Sequence, residues 1–199
     1  MMSAVLLLFS YLIGSIPFGM IVAYCVKRID IRNYGSGNIG ATNVLRVLGR
    51  RWGVTVFILD FLKGLIPLAV AKAVGGFPTL VVIMAATAVV CGHNWTIFLK
   101  FKGGKGVATS VGAICGLSLS FPFLSLALLA AVIVWILFFF ILRYVSVASL
   151  ASAVAFFVAA LCFALPLEIK IFAGLLFVLV VIRHKKNIIN LLAKKENRF

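Results

Sequence analysis

The chain alternates long apolar runs with short polar gaps. Apolar runs cover 2–26, 54–74, 77–90, 107–142, 145–165 and 169–182. A helix needs about 20 apolar residues to cross the hydrocarbon layer, or about 17 at the short limit. The run 107–142 is too long for one crossing, and Ser120 and Pro122 divide it into 107–120 and 123–142. The pattern therefore predicts seven helical spans. Those at 107–120 and 169–182 are short, which implies tilt or partial depth. No basic residue precedes Lys27, so the positive start of a cleaved signal peptide is missing. The first run reads as a retained helix, bent at Pro17 between Gly14 and Gly19.

Composition turns this pattern into a class. Of 199 residues, 64% are hydrophobic and 12% charged, whereas soluble domains are about 45–50% apolar and about 25% charged. A soluble globule, a disordered chain and a secreted disulfide scaffold are excluded. The expected architecture is all-α: a polytopic membrane helix bundle forming a single domain over 1–199. Cys25, Cys91, Cys115 and Cys162 form no CxxC pair and read as small buried hydrophobes. A monomer is expected.

Charge sets the orientation. Nineteen Lys and Arg stand against Asp30, Asp60, Glu168 and Glu196, a net +15. With the N-terminus outside and the C-terminus cytoplasmic, the segments 27–53, 91–106, 143–144 and 183–199 face the cytoplasm. They hold 16 of the 19 basic residues, as the positive-inside rule requires. Lys63, Lys72 and Lys170 are the exceptions. Asp60 and Lys63, i and i+3 inside a span, are expected to pair in the bundle interior as a structural element. The basic gaps point to membrane lipids and phosphorylated substrates as partners. Nucleic acid is not expected, since no basic domain is large enough to offer a groove.

Candidate chemistry lies in three of these segments. In the first, Gly35-Ser36-Gly37-Asn38-Ile39-Gly40-Ala41-Thr42-Asn43 precedes a short helix carrying Arg46, capped by Thr42 or Asn43 and ended by Gly49. A glycine-rich turn feeding a helix start is suited to bind an anion. In the second, Gly92-His93-Asn94-Trp95 leads to Gly103-Gly104-Lys105-Gly106 and then Thr109. The glycines should leave N–H groups free for one oxyanion beside Lys105. The segment is not a Walker A loop: Leu99 and Gly106 stand where glycine and Ser or Thr are needed. His93 is followed by Phe98 rather than Asp five residues on, so the His-x4-Asp pair of many glycerolipid acyltransferases is absent, and His93 reads as a polar structural residue. The third segment, Arg183-His184-Lys185-Lys186-Asn187, opens an amphipathic interfacial helix with Ile188, Ile189, Leu191 and Leu192. His184 and Asn187 are spaced to share a face.

These groups bind anions but include few acids, bases or metal ligands. No metal and no cofactor is expected. The chemistry implied is transfer between activated phosphorylated groups, promoted by positioning and charge neutralisation. A transporter or channel for an organic phosphate is the alternative, disfavoured because the polar groups crowd one interface rather than the mid-membrane.

GSGNIGATN…R, GHNWTIFLKFKGGKGVAT and RHKKNIINLLAKKE closely resemble the three motifs of the bacterial acyl-phosphate:glycerol-3-phosphate acyltransferases, the PlsY family. DFLKG at 60–64 and RYVSVAS at 143–149 also look like that family. The resemblance implies a multi-pass enzyme of the bacterial inner membrane with its active site at the cytoplasmic face. It would move an acyl group from acyl phosphate to the 1-hydroxyl of glycerol 3-phosphate, giving lysophosphatidic acid and phosphate. It implies Ser36, Arg46, Lys105, His184 and Asn187 as catalytic residues. Arg46, Lys105, Ser146, His184 and Asn187 would hold glycerol 3-phosphate. Ser36, Gly37, Asn38, Gly103, Gly104, Gly106 and Thr109 would hold acyl phosphate, and Glu196 would be structural. Ala193 stands where the family often has glycine. The proton of the attacking hydroxyl would pass to the departing phosphate or to His184.

Overall fold

The computed structural model describes residues 1–199, with ten α-helices and no strand. Five segments are long and apolar enough to cross a membrane: Met2–Lys27, Arg50–Val74, Thr79–Leu99, Phe123–Leu142 and Val145–Cys162. The chain is divided into two compact units, Met1–Gly116 and Leu117–Phe199.

In the first unit the opening run is broken as expected. Helix α1 (Met2–Ser15) and helix α2 (Phe18–Lys27) flank Ile16 and Pro17. Proline removes a donor and frees carbonyls of the preceding turn, which need other partners away from water. Two distant side chains supply them. Thr96 Oγ1 donates to the Ser15 carbonyl at 2.5 Å, and Lys63 Nζ to the Ile16 carbonyl at 2.7 Å. Lys63 comes from helix α4 (Arg50–Val74), where it pairs with Asp60 at 2.7 Å, both nearly inaccessible. The expected ion pair is present, and it also seals the break in the first span.

Helix α5 (Thr79–Asn94) packs along α1 with the two backbones in contact. A Cβ at Gly14 would collide with the Val89 carbonyl, and one at Gly92 with the Tyr11 carbonyl. Helix α6 (Val107–Ser118) meets α4 in the same way, through Gly64 against the Thr109 carbonyl and Gly112 against the Phe61 carbonyl. Lipid supplies no hydrophobic drive between helices, so close backbone approach through small residues stabilises such crossings.

In the second unit, helix α7 (Phe123–Leu142) and helix α8 (Val145–Cys162) form an antiparallel hairpin turned at Arg143, which has φ 61°. The start of α7 at Phe123 lies where Ser120 and Pro122 predicted a break. Helix α9 (Leu167–Arg183) packs on α8, with Phe157 and Phe177 stacked at 5.8 Å, and turns at His184 into helix α10 (Lys185–Leu192). The C-terminal tail returns to the hairpin turn: the Phe199 N–H donates to the Arg143 carbonyl at 2.8 Å.

One expectation is corrected. None of the four cysteines is fully buried, and Cys25 and Cys162 are exposed. In a membrane protein an apolar residue satisfies its surroundings on the outer face as well as inside, so apolar character does not predict burial.

Candidate active site

The first polar segment is a closed loop built around one side chain. Asn43, 1% exposed, points back from helix α3 (Ala41–Leu48) into the loop. Its Nδ2 donates to the carbonyls of Asn38 at 2.8 Å, Tyr34 at 3.0 Å and Ile31 at 3.3 Å. Its Oδ1 accepts the Ser36 N–H at 2.8 Å. Asn38 Oδ1 accepts the Gly40 N–H at 2.8 Å, so Asn38 closes a local turn. Gly35 and Gly37, at φ 59° and 71°, take the left-handed turns this path requires. The cap expected from Thr42 or Asn43 is corrected: Gly40 is the N-cap and makes no side-chain bond. The helix ends at Gly49, φ 91°, as expected.

Arg46, half-buried, is carried on this short helix, which packs through Ala41, Val44, Val47 and Leu48 on a core with Ala23, Ile31, Ile39 and Val56. Before the loop, Arg32 binds the Asp30 carboxylate at 2.6 Å, and these hydrogen bonds hold the Asp30 carboxyl below its ordinary value. Leu99, from the second segment, packs on the same core. The first two segments are thereby gathered at one end of the first unit.

The second segment is a hairpin folded back on the end of α5. Lys100 and Phe101 make the reversal in left-handed conformation. The Gly103 N–H then donates to the Asn94 carbonyl at 3.2 Å and the Gly104 N–H to the His93 carbonyl at 3.0 Å. This corrects the expectation that these two amides are free for an oxyanion. Both glycines are required for closeness: a Cβ at Gly103 would collide with the His93 carbonyl, and one at Gly104 with His93 Nε2. Gly106, φ 78°, leads into α6, whose ladder opens with Ser110 N–H on the Gly106 carbonyl at 2.7 Å. The amides before Ser110 in that turn lack intrahelical acceptors. The amides without intrahelical acceptors thus lie at the start of α6, next to Lys105, a helix N-terminus of the kind suited to an anion. Thr109 is fully buried with no hydrogen bond to its hydroxyl, in the first turn of α6.

In the second unit a carboxylate organises the third segment. Glu196 Oε1 accepts from Ser146 Oγ at 2.8 Å and from Asn187 Nδ2 at 2.6 Å. Through these two bonds Glu196 joins the start of α8 to α10. His184, 2% exposed, lies at the α9–α10 turn with Nδ1 2.8 Å from the Val180 carbonyl. A carbonyl only accepts, so Nδ1 carries a proton and Nε2 is the nitrogen whose protonation can change. An apolar groove of about 570 Å³ opens between α8, α9 and α10, lined by Val147, Val154, Phe177, Val181, Ile188 and Leu192.

The residues that sequence reasoning missed are the builders of the loops. Asn43 ties the first loop together instead of capping its helix, and Thr96 closes the break after α1. Their signal is weak: a short polar side chain among others, with nothing local to say which backbone groups it will reach.

The comparisons bear on the whole chain. The family model described as Glycerol-3-phosphate acyltransferase matches residues 4–194. A glycerol-3-phosphate acyltransferase of Aquifex aeolicus (strain VF5) is 42% identical over 194 residues, covering 98% of this chain and 97% of its own. One from Shouchella clausii (strain KSM-K16) is 46% identical over 197 residues, covering 96% and 93%. Crystal structures of PlsY, an integral membrane glycerol 3-phosphate acyltransferase, superpose on the chain. The glycerol 3-phosphate form has TM-score 0.90 at 41% identity and the lysophosphatidic acid form 0.88 at 40%; each covers 100% of this chain and 96% of the solved one.

Proposed function

Because the chain belongs to the glycerol-3-phosphate acyltransferase family, we propose that it acylates the 1-hydroxyl of glycerol 3-phosphate with acyl phosphate as donor. The products are lysophosphatidic acid and phosphate. The observation that carries this reading is the construction of the two glycine segments as closed loops on helix ends, with Arg46 and Lys105 mounted on them. Such loops suit phosphate esters and anhydrides, which are bound by fixed donors and localised positive charge. Family membership sets aside the transport reading.

Acyl phosphate is a mixed anhydride with a good leaving group. The glycerol oxygen attacks the acyl carbon, the new C–O ester bond forms, and the bond to the phosphate oxygen breaks. Phosphate leaves with the electron pair, and the hydroxyl proton passes to it or to His184 Nε2. Catalysis then consists mainly of positioning and charge neutralisation. In this assignment Ser36, Gly37, Asn38 and the turn from Gly103 through Gly106 to Thr109 serve the donor. Gly103 and Gly104 do so by shaping the loop. Arg46, Lys105, Ser146, His184 and Asn187 serve the acceptor. Asn187 and Ser146 arrive pre-oriented by Glu196, and the groove beside α10 offers an apolar bed for the acyl chain.

The same reading makes 1–199 one catalytic domain, acting as a monomer in the bacterial inner membrane. It places seven spans, the N-terminus outside, and the three polar segments at the cytoplasmic face. The test is an assay of purified protein with glycerol 3-phosphate and each donor. Acyl phosphate should give lysophosphatidic acid and phosphate in equal amounts, with acyl-CoA and acyl carrier protein used poorly or not at all. Equal rates with acyl-CoA would overturn the donor assignment.

A further inference from the structure

The ionisable side chains buried beneath the second segment are not used by the reaction as described. Asp60, Lys63 and His93 are 2%, 3% and 4% exposed and lie together on α4 and the end of α5. Asp60 Oδ1 is 2.7 Å from Lys63 Nζ and 3.6 Å from His93 Nδ1. Lys63 is committed to Asp60 and to the Ile16 carbonyl. The imidazole thus turns Nδ1 toward the carboxylate and presents its opposite nitrogen, Nε2, to Gly104. The Gly104 N–H is held by the carbonyl of the same residue, His93, at 3.0 Å. Gly104 is therefore met from two sides by one histidine, and that histidine faces, at 3.6 Å, a carboxylate whose other partner anchors the break in the first span.

From this juxtaposition we infer that His93 is a positioning residue: its ring, lying between Asp60 and Gly104, is the stop that sets how closely the Gly103–Gly106 turn approaches α5, and so sets the position of Lys105 and the start of α6. The inference rests on the reading of that turn as the donor-phosphate site. Charges inside a span are costly and persist where they do work. A loop that must hold an anion to within about 0.5 Å needs a rigid support behind it. The ring supplies that support without touching the substrate.

Gly104 provides a test that a merely structural histidine would not pass. Its φ is not left-handed, so alanine is strained there only by contact, and the contact is with the imidazole. Gly104→Ala should raise the KM for acyl phosphate at least about tenfold, the scale of a sub-ångström to ångström displacement in a positioned site. His93→Ala removes the ring that the new methyl strikes, so the double variant should recover most of that loss. Gly103→Ala is the control. Its Cβ would strike the His93 main-chain carbonyl, so His93→Ala should not rescue it. Asp60→Asn should raise the KM for acyl phosphate with kcat within about threefold, non-additively with His93→Ala.

All variants are assayed as purified protein in detergent, with folding followed by thermal denaturation. If His93→Ala does not fold, His93→Asn replaces it in the pair and is read the same way. The inference is overturned if the folded double variant is no more active than Gly104→Ala, if Gly103→Ala is rescued equally, or if Asp60→Asn lowers kcat without raising KM. A wild-type protein inactive with acyl phosphate refutes the donor reading instead, an outcome distinct from these.

Discussion

Arg46 and Glu196 show how differently two charged residues are employed. Arg46 is carried on a short helix stabilised by a loop that closes behind it. Its guanidinium can grip a phosphate through two parallel N–H bonds, which an ammonium cannot reproduce. Arg46→Lys should therefore raise the KM for glycerol 3-phosphate about tenfold or more, since loss of a desolvated charged contact costs about 2–5 kcal/mol. The KM for acyl phosphate should change little. Steady-state kinetics with each substrate varied in turn decides this, and the reverse pattern would exchange the two phosphate assignments. Glu196 works on its neighbours, with Ser146 and Asn187 both donating to one carboxylate oxygen. Hydrogen bonds to a charged group contribute about 1.5–3 kcal/mol, less at this half-exposed site. Glu196→Ala should lower the melting temperature and reduce activity together, whereas Ser146→Ala should reduce activity with a smaller thermal shift. Unchanged melting of Glu196→Ala would show that the carboxylate does not brace the segment.

At the scale of elements, the loop 34–43 and helix α3 stand or fall with Asn43. This one amide binds four backbone groups, the carbonyls of Ile31, Tyr34 and Asn38 and the N–H of Ser36; the Ile31 and Tyr34 carbonyls also accept the N–H groups of Tyr34 and Gly37, so the Asn38 carbonyl and the Ser36 N–H rely on it most. Each polar group left unsatisfied in a buried setting costs about 1–3 kcal/mol. Asn43→Ala should release the loop, expose 34–43 to limited proteolysis, and abolish most activity while the spanning helices remain folded. Asn43→Asp keeps the Ser36 acceptor but loses the three bonds donated by Nδ2, and should be nearly as damaged. Proteolytic resistance equal to wild type in both variants would remove Asn43 from this role.

For the whole molecule, the testable property is topology. The proposed orientation places the basic segments on one side, and the turn at Gly75 and Gly76 on the other. In a protein cleared of its four native cysteines, Phe77→Cys and Ser120→Cys should react with an impermeant thiol reagent from outside, and Asn187→Cys only after permeabilisation. Gly76 itself is avoided because its φ of 72° would be strained by a side chain. Reaction of Phe77→Cys from the cytoplasm alone would refute the seven-span, N-outside arrangement.

The sequence by itself determined the class, the apolar segments, the break at Pro17, the division of 107–142 and the Asp60–Lys63 pair, and it singled out the three polar glycine-rich or basic segments. Each follows from a local cause: run length against bilayer thickness, a missing proline N–H, the cost of charge in hydrocarbon, and glycine's access to left-handed turns. Tertiary structure alone decided which groups remain available to a ligand. The Gly103 and Gly104 amides are taken by the carbonyls of Asn94 and His93. Asn43 faces into its loop, and one carboxylate oxygen holds both Ser146 and Asn187, 41 residues apart. A backbone N–H or side-chain amide has the same chemistry wherever it lies in the sequence. Whether it is spent within the protein depends on which distant partner the fold brings within hydrogen-bond reach, and no local pattern encodes that.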